Sequence, residues 1–259
     1  MAWLPTSWSI HCRLPVDPDG LRCLRRNESD APVEQGTRIG YFLAQHGLVG
    51  EKMPNLQILD HPLIQNKLTR LRDASTPNHN FRLLLEELTS FMVYEITRDY
   101  PLRDVEVTTP LERTAGKVLD VPVVLIPILR AGTGMLGGVL DLIPTAKVGH
   151  IGIYRNPESL EPVEYYAKLP AELPTARIIL VDPMLATAGS AIAAVDLIKR
   201  KGGTMIQFLC LVAAPEGVAA FSDAHPDVPI YTASLDRQLN DKGYILPGLG
   251  DAGDRIFGT

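Results

Sequence analysis

From about residue 121 onward the apolar residues alternate between two periods, whereas the first 54 residues show no sustained period. Short runs rich in β-branched residues read as buried strands: Val123-Val124-Leu125-Ile126, Val148 to Tyr154, Ile178-Ile179-Leu180-Val181, Thr204 to Ala213 and Val228 to Ser234. Among them, helical spacing predicts helices over Gly134 to Leu142, Ala191 to Lys201 and Pro215 to Ala224. Strand and helix in alternation imply an α/β domain with a central parallel sheet flanked by helices. Ligands of such sheets bind beyond the carboxyl ends of the strands. Arg130 to Gly134, Arg155 and Asp182 to Ser190 all fall at such ends, so three separate segments can meet in one crevice.

Upstream of this alternation, ordered patterning begins at Leu56-Gln57-Ile58-Leu59. His61-Pro62 then opens a helix with Leu63, Lys67, Leu68 and Leu71 on its stripe. A second helix is predicted from Thr76 as N-cap and Pro77 at its first position, with Phe81, Leu84, Leu85, Leu88, Met92 and Ile96 facing inward. Two β-prone pieces, Val105-Glu106-Val107 and Val118-Leu119, suggest an arm or hairpin. Residues 1–54, with Pro5, Pro15, Pro18 and Pro32 and scattered Arg, read as a weakly ordered extension, and residues 55–259 as one domain. Met53-Pro54 would also serve as a start.

Composition narrows the partners. A chain of 259 residues, 46% apolar, can bury a full core, and a net charge of -5 argues against nucleic acid or a membrane surface as the main partner. Three cysteines, Cys12, Cys23 and Cys210, make no closed disulfide framework, which fits a reduced, cytoplasmic chain. No apolar run approaches the roughly 18 residues of a membrane span.

The turn after Val181 carries the most chemistry. Asp182-Pro183-Met184-Leu185-Ala186-Thr187-Ala188-Gly189-Ser190 supplies an acid, two hydroxyls and backbone N–H groups at a helix N-terminus, a setting that favours a phosphate. Gly132-Thr133-Gly134-Met135-Leu136-Gly137 matches G-x-G-x-x-G, yet the next strand ends at Tyr154-Arg155 with no acid for a ribose diol. Arg130 beside those glycines suits a multiply charged phosphate better than a dinucleotide. Residues 155–170 read as a long connection and a candidate lid. The tail from Gly243 to Arg255 has four Gly and one Pro, so its backbone can approach a ligand closely, and the apolar Ile245, Leu246 and Leu249 argue against a frayed terminus.

These segments resemble the uracil phosphoribosyltransferases. The resemblance rests on Pro127-Ile128-Leu129-Arg130-Ala131-Gly132, Tyr154-Arg155-Asn156, Val181 to Ser190, Ala213-Ala214-Pro215-Glu216-Gly217 and Tyr244 to Gly258, and covers residue 56 to the end. It implies the type I phosphoribosyltransferase fold with a β-arm or lid and a C-terminal base-binding hood. It also implies transfer of the 5-phosphoribosyl group from 5-phosphoribosyl 1-diphosphate to uracil, giving UMP and diphosphate. By that resemblance Asp182, Pro183, Met184, Leu185, Ala186, Thr187, Ala188, Gly189 and Ser190 would hold the ribose and 5-phosphate. Arg130 and Arg155 would take the diphosphate, and Asp182, Arg130 and Arg155 would be catalytic. Ile245, Gly250, Asp251 and Ala252 would line the uracil site, with Asp251 also near the donor. Mg²⁺ is expected to bind mainly through the diphosphate rather than a protein cage. Family members suggest a homo-oligomer and, in some cases, activation by GTP. Pro183 replaces a second acid and argues against purine bases or orotate, and Ala188 stands where Gly is commoner. Ala188 and the extension keep a non-catalytic nucleotide sensor open as an alternative; the acidic charge counts against an RNA-binding regulator.

Overall fold

The computed structural model describes residues 55–155 and 162–259. The expectations for residues 1–54, and for 156–161 of the candidate lid, lie outside the described residues.

The chain runs β1 (Leu56–Ile58), α1 (Pro62–Arg72), α2 (Asn78–Ile96), β2 (Leu102–Thr108), β3 (Arg113–Leu119) and β4 (Val123–Leu129). A 3₁₀ turn (Ala131–Met135) leads to α3 (Leu136–Leu140), β5 (Lys147–Val148), β6 (His150–Arg155) and β7 (Pro162–Lys168). Then come β8 (Arg177–Val181), β9 (Met184–Leu185), α4 (Gly189–Arg200), β10 (Met205–Ala213) and α5 (Pro215–Ala224). The chain finishes with β11 (Ile230–Leu235), β12 (Gln238–Leu239), β13 (Ile245–Leu246) and α6 (Ala252–Phe257).

Among the described residues the main sheet follows the order β1-β11-β10-β8-β4-β6-β7. Every pairing along it is parallel except the last, β6 with β7. The central strands are buried on both faces, which is why Val123 to Ile128 and Ile178 to Val181 read as continuous apolar runs rather than alternating ones. Pro127 lacks an N–H and would weaken an ordinary central strand. It falls at the break where β4 stops pairing with β5, at Leu125, and begins pairing with β6, at Ile128.

Helix α1 opens as expected: His61 Nδ1 accepts from the Leu63 N–H at 3.2 Å, and Pro62 takes the first position. Its buried stripe is Ile64, Leu68 and Leu71: Leu68 and Leu71 face inward as expected, Lys67 is half-buried, and Leu63 is exposed with Ile64 inward instead. In α2 all six expected stripe residues are buried, with Thr89 and Val93 beside them. Each large apolar side chain so removed from water contributes about 1.5–3 kcal/mol. Pro77, not Thr76, is the N-cap residue of α2, and the Thr76 hydroxyl instead donates to Arg70 O at 2.7 Å, tying the two helices together.

Two other expectations change. The predicted helix over Gly134 to Leu142 splits into the 3₁₀ turn and the five-residue α3, because α3 crosses α2 at backbone contact: a Cβ on Gly138 would lie 2.3 Å from Glu86 O. Ser90 Oγ donates to Gly138 O at 3.0 Å across that crossing. Of the glycines that mimic a dinucleotide fingerprint, Gly134 and Gly137 face Leu85 and Glu86 of α2, while Gly132 lies against Val181 O of β8. Within the candidate lid, residues 162–168 form β7, paired antiparallel with β6, so this part of the connection is a strand at the sheet edge. The β-arm is present: β2 and β3 form an antiparallel hairpin over Leu102–Leu119 whose residues are almost all exposed.

Candidate active site

Asp182 leaves the end of β8, with its own N–H bonded to Leu209 O at 3.2 Å. The following residues are not a free loop. Pro183 O accepts from Leu211 and Val212 N–H groups, at 3.0 and 3.2 Å, and β9 pairs parallel with β10 through Val212 and Ala213. The segment is thus carried on the sheet as far as Leu185, which is fully buried. Beyond it, a Cβ on Gly217 would stand 2.1 Å from Ala186 O and 2.8 Å from Leu185 O, so α5 supports the loop by direct backbone contact. Nothing larger than Gly fits there.

Ala188 then turns the chain into α4 with φ 65° and ψ -9°, a left-handed conformation. It is the single non-glycine residue with positive φ among the described residues. No side chain caps α4, so its first-turn N–H groups, from Gly189 and Ser190 onward, are left open to an anion. Thr187 is exposed at the rim, and Ser190 is half-buried in the first turn.

Asp182 itself is only partly exposed. Burial pushes its carboxyl up to about 7, opposed by a hydrogen bond from the Met184 N–H. An unliganded carboxylate in this position is costly to ionise, and hydroxyl donors or a nearby positive charge would relieve that cost.

The remaining predicted residues arrive from other elements. Arg130 follows β4 across a cis Leu129–Arg130 peptide, and its guanidinium lies 5.9 Å from the Phe257 ring centroid. Its Nη2 is 3.9 Å from the point a Cβ on Gly253 would occupy, so Arg130 meets the C-terminal helix. With Leu129, Thr133, Tyr165 and Phe257 it lines an open cavity of about 300 Å³. Arg155 is the last residue of β6, and its side chain lies outside the described residues.

In the tail, the antiparallel pair β12–β13 brings Ile245 opposite Leu239. The Ile245 side chain is buried in the core, so what it offers a ligand is backbone. Gly250 has φ 73°, and Asp251 caps α6, its Oδ1 accepting from the Asp254 N–H at 3.0 Å. Ala252 is buried at the start of that helix. A Cβ on Gly243 would lie 3.8 Å from Thr187 Cγ2, which sets the tail beside the Asp182–Ser190 loop. The structure therefore brings together the loop, Arg130 and the tail. Helix α6 is absent from the sequence reading, although Asp251 three residues before Asp254 is an N-cap signal that marks it. Also unread were Gly217's contact with the loop and Glu216, whose Oε1 accepts from Leu239 N at 3.0 Å and fixes the β12–β13 pair to α5.

Comparison with known proteins decides the family. The sequence model of the family "Uracil phosphoribosyltransferase" matches residues 58–259. The chain belongs to the uracil phosphoribosyltransferases. A uracil phosphoribosyltransferase of Acidovorax ebreus (strain TPSY) is 58% identical over 208 residues, which are 80% of this chain and 100% of that protein. One from Geobacillus kaustophilus (strain HTA426) is 57% identical over the same shares. Among solved structures, the AQ2163 protein from Aquifex aeolicus is 40% identical, with a TM-score of 0.75 over 78% of this chain and 97% of that one. The parallel sheet with flanking helices, the β-arm and the C-terminal segment are the type I phosphoribosyltransferase arrangement expected of this family.

Proposed function

We propose that the protein transfers the 5-phosphoribosyl group of 5-phosphoribosyl 1-diphosphate to uracil, forming UMP and diphosphate, in pyrimidine salvage. The observation that carries this reading is the meeting of the Asp182–Ser190 loop, Arg130 and the Gly-rich tail at the carboxyl ends of β4 and β8, in a chain of this family. The open N–H groups at the start of α4 take the 5-phosphate. Asp182 accepts from the ribose hydroxyls, and its carboxylate favours the positive charge that develops at the anomeric carbon as diphosphate leaves. Arg130 and Arg155 supply planar donors to the departing oxygens. Uracil presents an acceptor, donor, acceptor edge, and backbone N–H, C=O and N–H groups of Ile245 and Gly250 to Ala252 match it. Cytosine inverts part of that edge, leaving buried polar groups unpaired at about 1–3 kcal/mol each.

No group of three or more His, Cys, Asp or Glu converges as a metal cage among the described residues. A Mg²⁺ ion would be held through the donor's diphosphate, with Asp182 and Arg130 on the protein side. Bound there, the ion neutralises charge on the leaving group; the chain's own part is to orient the donor through Asp182 and Arg130.

Family membership also supports a homo-oligomer and activation by GTP. The exposed apolar residues of the β-arm, Leu102, Val107 and Leu111, favour the former. Cys210, a free and buried thiol, fits a reducing cytoplasm. No helix among the described residues is long and apolar enough to cross a membrane.

Incubation with Mg²⁺, the donor and uracil, cytosine or hypoxanthine in turn tests the reading. UMP is expected from uracil alone; donor binding without UMP formation at high protein concentration refutes it. Dependence of the rate on added GTP, and sedimentation of the protein, test the regulatory and oligomeric parts.

A further inference from the structure

An ion pair between a buried acid and a partly exposed base, outside the proposed substrate contacts, is wired directly to the tail. Asp236 follows β11 and is 4% exposed. Its Oδ1 accepts from Arg72 Nη2 at 2.6 Å and from Ser234 Oγ at 2.8 Å; its Oδ2 accepts from Arg72 Nη1 at 2.8 Å and from the Gly248 N–H at 2.9 Å. Arg72 Nη1 also donates to Gly248 O at 2.9 Å. The pair therefore holds both peptide groups at Gly248, one through the acid and the other through the base.

Gly248 is the hinge of the segment. Its φ is 65°, and a Cβ would lie 2.2 Å from Ile245 O, so the chain folds back tightly on Ile245 there. The next carbonyl, Leu249 O, accepts from Arg255 Nη1 at 3.0 Å, while Arg255 Nη2 donates to Asp73 O at 2.6 Å. The residues proposed to line the base flank this turn, Ile245 three positions before Gly248 and Gly250 to Ala252 starting two after it. An ion pair with one buried partner is by itself weak evidence for a stabilising role. A backbone-lined edge, by contrast, recognises its ligand only if its N–H and C=O groups are held to a fraction of an ångström.

We infer that Asp236 and Arg72 are positioning residues for the base: they set the register of the uracil-reading backbone without touching uracil. The inference rests on the assignment of Ile245 and Gly250 to Ala252 to the base. In Asp236→Asn an amide NH₂ faces donors of Arg72 or Gly248 that the carboxylate accepted from, and the bracket opens. Arg72→Lys keeps the charge but loses the planar fork that reaches Asp236 and Gly248 O together.

The experiment is steady-state kinetics of the full chain and of Asp236→Asn, Arg72→Lys and Gly250→Ala, varying uracil and donor separately. Asp236→Asn and Arg72→Lys are expected to raise the KM for uracil about tenfold, leave that for the donor within about twofold, and narrow the preference for uracil over cytosine. If Gly250→Ala raises the uracil KM while the two charge variants do not, the positioning role is overturned and the base assignment stands. If none of the three moves the uracil KM, both are overturned. An equal rise in both KM values, or a fall in kcat alone, marks a general structural role and also overturns the inference. Should Asp236→Asn not fold, Arg72→Lys gives the same readout from a partly exposed position.

Discussion

Ala188 sits in a left-handed conformation, and replacing it gives a graded test of the loop's backbone. At φ 65° a Cβ crowds the neighbouring carbonyl, at a cost of about 1–2 kcal/mol. Ala188→Gly removes that cost. It also frees the unfolded chain, which takes back about 0.4–1 kcal/mol, and gives up a buried methyl worth at most about 0.8 kcal/mol. The balance lies within about 1 kcal/mol of zero, so the Tm should move by no more than about 4 °C. Ala188→Val adds β-branching to the same φ, a true outlier, and should cost about 2–3 kcal/mol or more. Urea unfolding of the three proteins measures these differences, and donor titration follows the site. The expected order of stability is Gly close to Ala, with Val far below, and the Val variant should lose donor affinity as the start of α4 shifts. A Val variant within about 0.5 kcal/mol of the parent refutes a left-handed residue 188. A Gly variant more than about 2 kcal/mol less stable shows instead that the methyl's packing governs the turn.

Other outcomes follow from neighbouring residues. Asp182 binds its proton in the native state up to about pH 7 but loses it near 3.8 when unfolded, so the native state holds more protons in between and stability falls as pH rises through that window. Asp182→Asn should match the parent near pH 4, exceed its stability at pH 8 by about 2 kcal/mol after allowance for solvent screening, and be severely impaired in UMP formation; equal stability at both pH values in thermal unfolding would contradict this. Gly217→Ala pushes a methyl into Ala186 O and should raise the donor KM at least tenfold, with the uracil KM less affected, as kinetics will report. Arg155→Ala is expected to raise the donor KM more than the uracil KM, and equal effects would remove Arg155 from the diphosphate side.

The sequence by itself determined the order of the buried central strands and of α1, α2, α4 and α5, because continuous β-branched runs and the stripe of α2 report burial directly. It also marked the loop and Arg130, since an acid, hydroxyls and glycines after a buried strand suit an anion at a helix N-terminus. Local pattern did not show the division of 134–142, which depends on Gly138 resting against Glu86 O, nor β7, whose polar edge strand has no periodicity to read. The Arg72–Asp236 pair joins residues 164 positions apart. The conformation of Ala188 likewise depends on the sheet, α5 and α4 meeting around one loop. Periodicity reports which face of an element is buried; it carries no information about which two buried surfaces touch. Only the tertiary structure brought those distant groups into contact, and with them the geometry that holds the tail.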